Sequence, residues 1–214
     1  MRRTPPVSTP VLSRLLTVRR GLIGLAVLAM VAGGAAAETF VIAPGSPNEV
    51  KFTSKAPLET FDGKTRNVSG TIEANLGQLA DSFKVEITVD LASLDTGIDL
   101  RNQHMREEHL ETSKYPQAVF HGRSAAQLSQ PALHAGETVT FICHGTFDLH
   151  GVTQPLDVPV EASLKSDQGQ TTLQVTGRFD VKLSDYKISR PQFLVMRLDE
   201  SQHVTVTLAA VEKM

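Results

Sequence analysis

From residue 50 onward, apolar and polar side chains alternate with a period of two, as expected of strands with one wet face and one dry face. Val50 and Phe52 open the pattern, and Val68, Gly70, Ile72, Ala74 and Leu76 continue it with Thr71, Glu73 and Asn75 between them. The same phase runs through Phe83, Val85, Ile87, Val89 and Leu91, then through Ala118, Phe120, Gly122, Ser124, Ala126 and Leu128. It returns as Val139 to Leu149, Leu156 to Leu164, Leu173 to Leu183 and Val204 to Ala210. This predicts about eight strands. Short links with turn signals at Gly151, Pro155 and Asp167-Gln168-Gly169 make neighbouring strands antiparallel. Closing the sheet removes its edges, so the expected fold is all-β, a single antiparallel up-and-down barrel of about eight strands, with a two-sheet sandwich as the alternative. Pro159 falls on the polar phase of its strand and marks an edge or a bulge there.

The stretch Asp95 to Phe120 breaks the alternation. Asp99 to Glu111 is rich in helix formers and carries Leu100, His104 and Met105 on one side, which predicts a short helical segment covering one end of the barrel. Pro116 forces Tyr115 into an extended conformation and ends the helix. As the one insertion of its kind between strands, the segment is expected to gate access to the interior. Gly70, Gly122, Gly145 and Gly177 all fall on the inward phase. Such glycines either leave room for a ligand or let the strands bend for closure.

Composition changes the picture at the N-terminus. The first 37 residues hold five arginines and no acid, then an apolar run from Leu22 to Ala32 and a final Ala35-Ala36-Ala37. The run is shorter than the ~20 residues of a membrane span, so residues 1–37 read as a signal peptide cleaved near Ala37, and residues 38–214 as the barrel domain. The expected location is periplasmic or secreted. Without the leader, 16 basic residues face 23 acidic ones, a net charge near −7. That disfavours a nucleic-acid partner and a resting place on an anionic membrane, and no stable membrane insertion is expected. Cys143 is the only cysteine, so no internal disulfide forms. Its place on the apolar phase predicts a small buried side chain.

Candidate chemistry is sparse. The chain has no nucleophile elbow, phosphate loop, paired cysteines or His-Glu-x-x-His motif. Ser184 and Lys187 have the Ser-x-x-Lys spacing, but that chemistry needs a helix and these residues end a strand. His104 and His109, five apart, point away from each other on an α-helix. His121 and His144 lie on the polar phase of consecutive strands, and a hairpin near Pro131 would bring them roughly opposite, where a further ligand could complete a metal site. Two solvated histidines are the alternative, and no metal or other cofactor is expected. Arg101, His104 and Arg106 could meet a polar head group at the barrel mouth or pin the lid to a strand end, and Tyr115 could pack with its hydroxyl satisfied.

The run Arg101-Asn102-Gln103-His104-Met105-Arg106, followed by Leu110, Lys114-Tyr115-Pro116 and Phe120, resembles the signature segment of the YceI-like family of exported polyisoprenoid-binding proteins. Ser93-Leu94 with Thr96, Leu149 to Pro155 and Ser184 to Ile188 extend the resemblance over nearly the whole mature chain. It departs from the family pattern at Asn102 and at His109-Leu110, both in the lid. The resemblance implies a lipocalin-like barrel whose apolar tunnel holds a long isoprenoid or similar lipid, an isoprenoid quinone among them. The inward phase then assigns the ligand contacts to Phe52, Ile72, Val85, Ile87, Phe120, Phe141, Gly145, Phe147, Phe179 and Val181. Head-group or lid roles fall to Arg101, His104, Arg106 and Tyr115. The expected function is sequestration or transport of that lipid without catalysis. An enzyme or redox partner acting on an isoprenoid quinone, and an all-β interaction module with a solid core, are the rivals, and a homodimer remains open.

Overall fold

The computed structural model describes residues 37–56, 59–193 and 196–213, so the leader expected over 1–37 lies outside the described residues except for Ala37. The strands are β1 (Glu38–Ile42), β2 (Glu49–Lys55), β3 (Thr60–Thr65), β4 (Val68–Ala74), β5 (Phe83–Asp90) and β6 (Gln117–Ala126). They continue as β7 (Thr138–Leu149), β8 (Val152–Asp167), β9 (Gln170–Lys182), β10 (Gln192–Phe193), β11 (Met196–Arg197) and β12 (Ser201–Glu212). Among the described residues the one α-helix, α1 (Asp99–His104), lies between β5 and β6. None of the helices among the described residues is long and apolar enough to cross a membrane.

Eight strands close a barrel in the order β1-β4-β5-β6-β7-β8-β9-β12, and β12 returns to β1 through Phe40 opposite Glu212 and Val41 opposite Val211. Every pairing in the ring is antiparallel, as hairpin-length links such as those of β7–β8 and β8–β9 require. The run from β4 to β9 is strictly up and down, and the departure is local. β12 shares its second edge between β1 near its end and β2 over His203–Thr207, and β2 continues into the hairpin partner β3. The outer edge of β3 is tied down by reciprocal backbone hydrogen bonds between Lys64 and Asp95.

Strands β1 and β3 escape the sequence pattern for opposite reasons. Three consecutive apolar residues, Phe40 to Ile42, hide the alternation in β1, while Phe61 is the only large apolar residue of β3. Elsewhere the inward phase holds, with one shift. A β-bulge in β6 between Gly122 and Ser124 adds a residue against β7 and inverts the faces that follow. Ser124, expected inside, is exposed, and Ala125 packs against the core instead. Pro155 and Pro159 lie in the part of β8 that pairs with β7 alone, since pairing with β9 starts at Val160. A residue without an N–H is tolerated at such an edge.

The end of the barrel far from α1 is closed. Phe40 and Ala210 are fully buried there, off the cavity lining. The loops after β4 and before β7 close it, with Leu79 N–H donating to Pro131 O and Leu133 N–H to Leu76 O.

Candidate functional site

Above this floor the ring encloses a cavity of about 950 Å³, near the top of the ~300–1,000 Å³ range of small-molecule sites. Leu76, Leu79 and Leu133 line its base, inward side chains of the ring form its wall, and Ile98, Leu100, His104 and Ile188 line its mouth. The interior is therefore not the solid core of an interaction module. Cys143 is on the wall and buried, with desolvation, aided by Asp157, pushing its thiol up to about 12.

The lid is built as α1 followed by a turn of π-helix, Met105–His109. Asn102 anchors it from inside. Its Oδ1 accepts from Thr96 N–H at 2.8 Å and Thr96 Oγ1 at 2.7 Å, and its Nδ2 donates to Asp95 Oδ1 at 2.7 Å. The Gly97 N–H first, and then the Asn102 Nδ2 bond, hold the Asp95 carboxyl below the usual carboxylate range. Arg106 ties the next turn down by donating to Leu94 O at 2.8 Å. The far end is fastened by His150, which donates from Nδ1 to Tyr186 O and meets Glu111 Oε2 at 2.8 Å through Nε2. Tyr115 packs against this His150 ring at a tilt of 60° with centroids 4.6 Å apart.

The expected ligand contacts Phe52, Ile72, Val85, Ile87, Phe120, Phe141, Phe147, Phe179 and Val181 all line the cavity. Gly145 does not. A Cβ built there would lie 2.4 Å from His121 O and 2.8 Å from Phe120 Cζ, so the missing side chain makes room for a neighbouring backbone and the Phe120 ring rather than for a ligand. Phe52 fills the space over Gly63 in the same way. Gly177 alone of the four inward glycines borders the cavity.

Of the lid residues, Arg101 and His104 line the mouth, whereas Arg106 and Tyr115 stay off it and serve the lid anchors. Arg101 does both. Its Nε and Nη2 donate to Thr96 Oγ1 and Thr96 O, its Nη1 meets Glu59 at 3.0 Å, and its guanidinium lies 3.9 Å over the Phe61 ring.

Two histidine expectations are corrected. His109 joins His104 on the cavity lining, because the π-helical turn between them has more residues per turn than the α-helix assumed from spacing. Desolvation lowers the pKa of His109, and its Nδ1 lies 3.0 Å from Ser189 Oγ. His121 and His144 do not face each other. The β6–β7 register places His121 opposite Thr146 and, past the bulge, His144 opposite Ser124; His121 lies beside the carboxylates of Glu86 and Asp148 and His144 beside that of Asp157. Glu59 and Phe61, both at the mouth, were invisible in the sequence, since Glu59 lies 42 residues from the Arg101 it pairs with.

A closed antiparallel barrel with a deep apolar cavity and its polar groups gathered at one covered mouth is a lipocalin-like cavity barrel. Residues 40–211 match the YceI-like domain, and the chain belongs to that family. A UPF0312 protein of Vibrio campbellii is 28% identical over 170 residues, covering 77% of this chain and 85% of the relative. A second, from Vibrio parahaemolyticus, is 29% identical over 141 residues, 64% of this chain and 70% of that one. Among solved structures, a polyisoprenoid binding domain from Saccharophagus degradans superposes with a TM-score of 0.64 at 19% identity, covering 83% of this chain and 99% of that one. BcnA of Burkholderia cenocepacia superposes with a TM-score of 0.59 at 18% identity, covering 76% and 95%. At such identities these structures establish the fold.

Proposed function

We propose that this protein is an exported carrier that holds a long-chain isoprenoid or similar lipid, an isoprenoid quinone among them, in its barrel and releases it unchanged. The observation that carries this reading is the cavity. Its wall is apolar from the Leu133 end to the lid, and among the described residues its charged and imidazole groups sit at the mouth, which suits a ligand with a long apolar tail and a small polar head. Each methylene buried in such a wall contributes about 0.8 kcal/mol, so tail length dominates affinity. The polyisoprenoid binding domain of Saccharophagus degradans, similar in fold, supports the isoprenoid class. A redox role for Cys143 is disfavoured because a thiol pushed up to about 12 supplies almost no thiolate.

The test is mass spectrometry of the organic extract of the purified protein, run beside metal analysis. A co-purifying long-chain lipid without metal is expected, and protein that yields no lipid and takes up none refutes the reading. Export is tested by the mass of the accumulated protein in cell fractions. A chain beginning near Glu38 outside the cytoplasm is expected, and an intact chain retained inside refutes it.

A further inference from the structure

We infer that the mouth selects a lipid with an uncharged, hydrogen-bonding head group and discriminates against an anionic, phosphorylated one. This inference rests on the lipid-carrier reading and adds the charge class of the head. Among the described residues, the charged side chains on the cavity lining are Glu59, Arg101 and Glu108, two carboxylates against one cation. The cation is already committed. Three of the five N–H donors of a guanidinium are engaged at Arg101 by Thr96 and Glu59, and its face is covered by Phe61. A phosphate arriving at the mouth would find two guanidinium N–H donors left on a cation whose charge is already paired with Glu59 at 3.0 Å, and would still meet the carboxylate of Glu108.

The two histidines do not reverse this balance. His109 is desolvated by the lid, which disfavours its charged form, and Nδ1 is occupied by Ser189. With Nδ1 taken, the neutral ring offers a ligand Nε2 alone, a donor or an acceptor according to tautomer, and no charge, which fits a carbonyl, hydroxyl or amide. His104, the other imidazole of the lining, is exposed and screened by solvent.

The experiment compares two probes that share one tail, a long-chain polyprenol and its monophosphate ester. Binding to the purified, lipid-stripped protein is measured by isothermal titration at low ionic strength and above the histidine titration range. The polyprenol should bind at least about tenfold more tightly, the effect of an uncompensated charge a few ångströms away in a partly solvated site. The ratio of the two affinities should narrow by about threefold or more in Glu59→Gln, which releases Arg101, and in Glu108→Gln, which removes the second carboxylate of the lining. Glu107→Gln is the control, since Glu107 is exposed, off the cavity lining and bonded to Gln103, and it should keep the wild-type ratio. A melting temperature near wild type shows that each variant is folded. Phosphate ester bound as tightly as the alcohol, or a ratio unmoved in both lining variants, overturns the inference while leaving the carrier reading intact. Failure of both probes to bind removes the carrier reading and this inference with it.

Discussion

Replacing Gly145 by alanine separates two uses of an inward glycine, and the structure says which one operates. The added Cβ would sit 2.4 Å from His121 O and 3.0 Å from Gly122 Cα, against the 3.4 Å or more of ordinary contact. Both are backbone atoms of β6, so no side chain can swing aside, and β6 and β7 must separate by about 1 Å beside the bulge. Overpacking of this kind costs ~1–3 kcal/mol, and rigid backbone on the receiving side places it near the upper end. Alanine recovers ~0.5–1 kcal/mol of the conformational penalty of glycine in a strand. The net loss is about 2 kcal/mol, a fall in Tm of about 4–8 °C for a domain of this size. Thermal unfolding of the lipid-free protein followed by circular dichroism measures it. Gly177→Ala is the matched comparison, because the nearest atom to its Cβ is a side-chain carbon, Val158 Cγ1 at 3.1 Å, and Gly177 borders the cavity. That variant should shift Tm by no more than about 2–4 °C while reducing bound lipid. A Gly145→Ala protein as stable as wild type would show that the strands are not in close contact there and would refute the reasoning.

Asn102→Ala removes three hydrogen bonds from a buried lid anchor and leaves the Thr96 N–H without its partner. A loss of about 2–3 kcal/mol and faster amide exchange across residues 95–110 are expected, and unchanged exchange there would rule out the anchoring role. Cys143, 3% exposed with its thiol pushed up to about 12, should react slowly with a thiol reagent in the native protein and rapidly in denaturant. Equal rates in the two conditions would contradict its burial. The pKa of His109 is lowered in the fold, first by desolvation, so the unfolded chain binds the proton more tightly. Its contribution is therefore fully present above the ordinary value of 6.5 and is lost as pH falls from there through the folded value. His109→Gln should flatten the stability profile across that window, and a profile of unchanged slope would refute the assignment.

Period-two alternation reflects only which face of a strand is wet, and each residue carries that information locally. For that reason β4, β5, β7, β9 and β12, the inward sets from Ile72 to Val181, the burial of Cys143 and the lid between β5 and β6 could all be read before folding. The edge at Pro159 was legible too, because a missing N–H has the same consequence in any context. Register is different, since it belongs to two strands at once. The bulge before Ser124 inverts the inner face of β6, and no local property of Arg123 announces it. The register also decides that His121 faces Thr146 and His144 faces Ser124, so the two histidines are not opposite. Close approach is likewise a property of pairs, so Gly145 looked like free space until Phe120 and the backbone of His121 were seen to fill it. At the mouth, the turn of π-helix after α1 brings His109 to the lining beside His104. There Glu59, arriving on the β2–β3 hairpin, neutralises Arg101, a pairing across 42 residues that only the closed barrel makes.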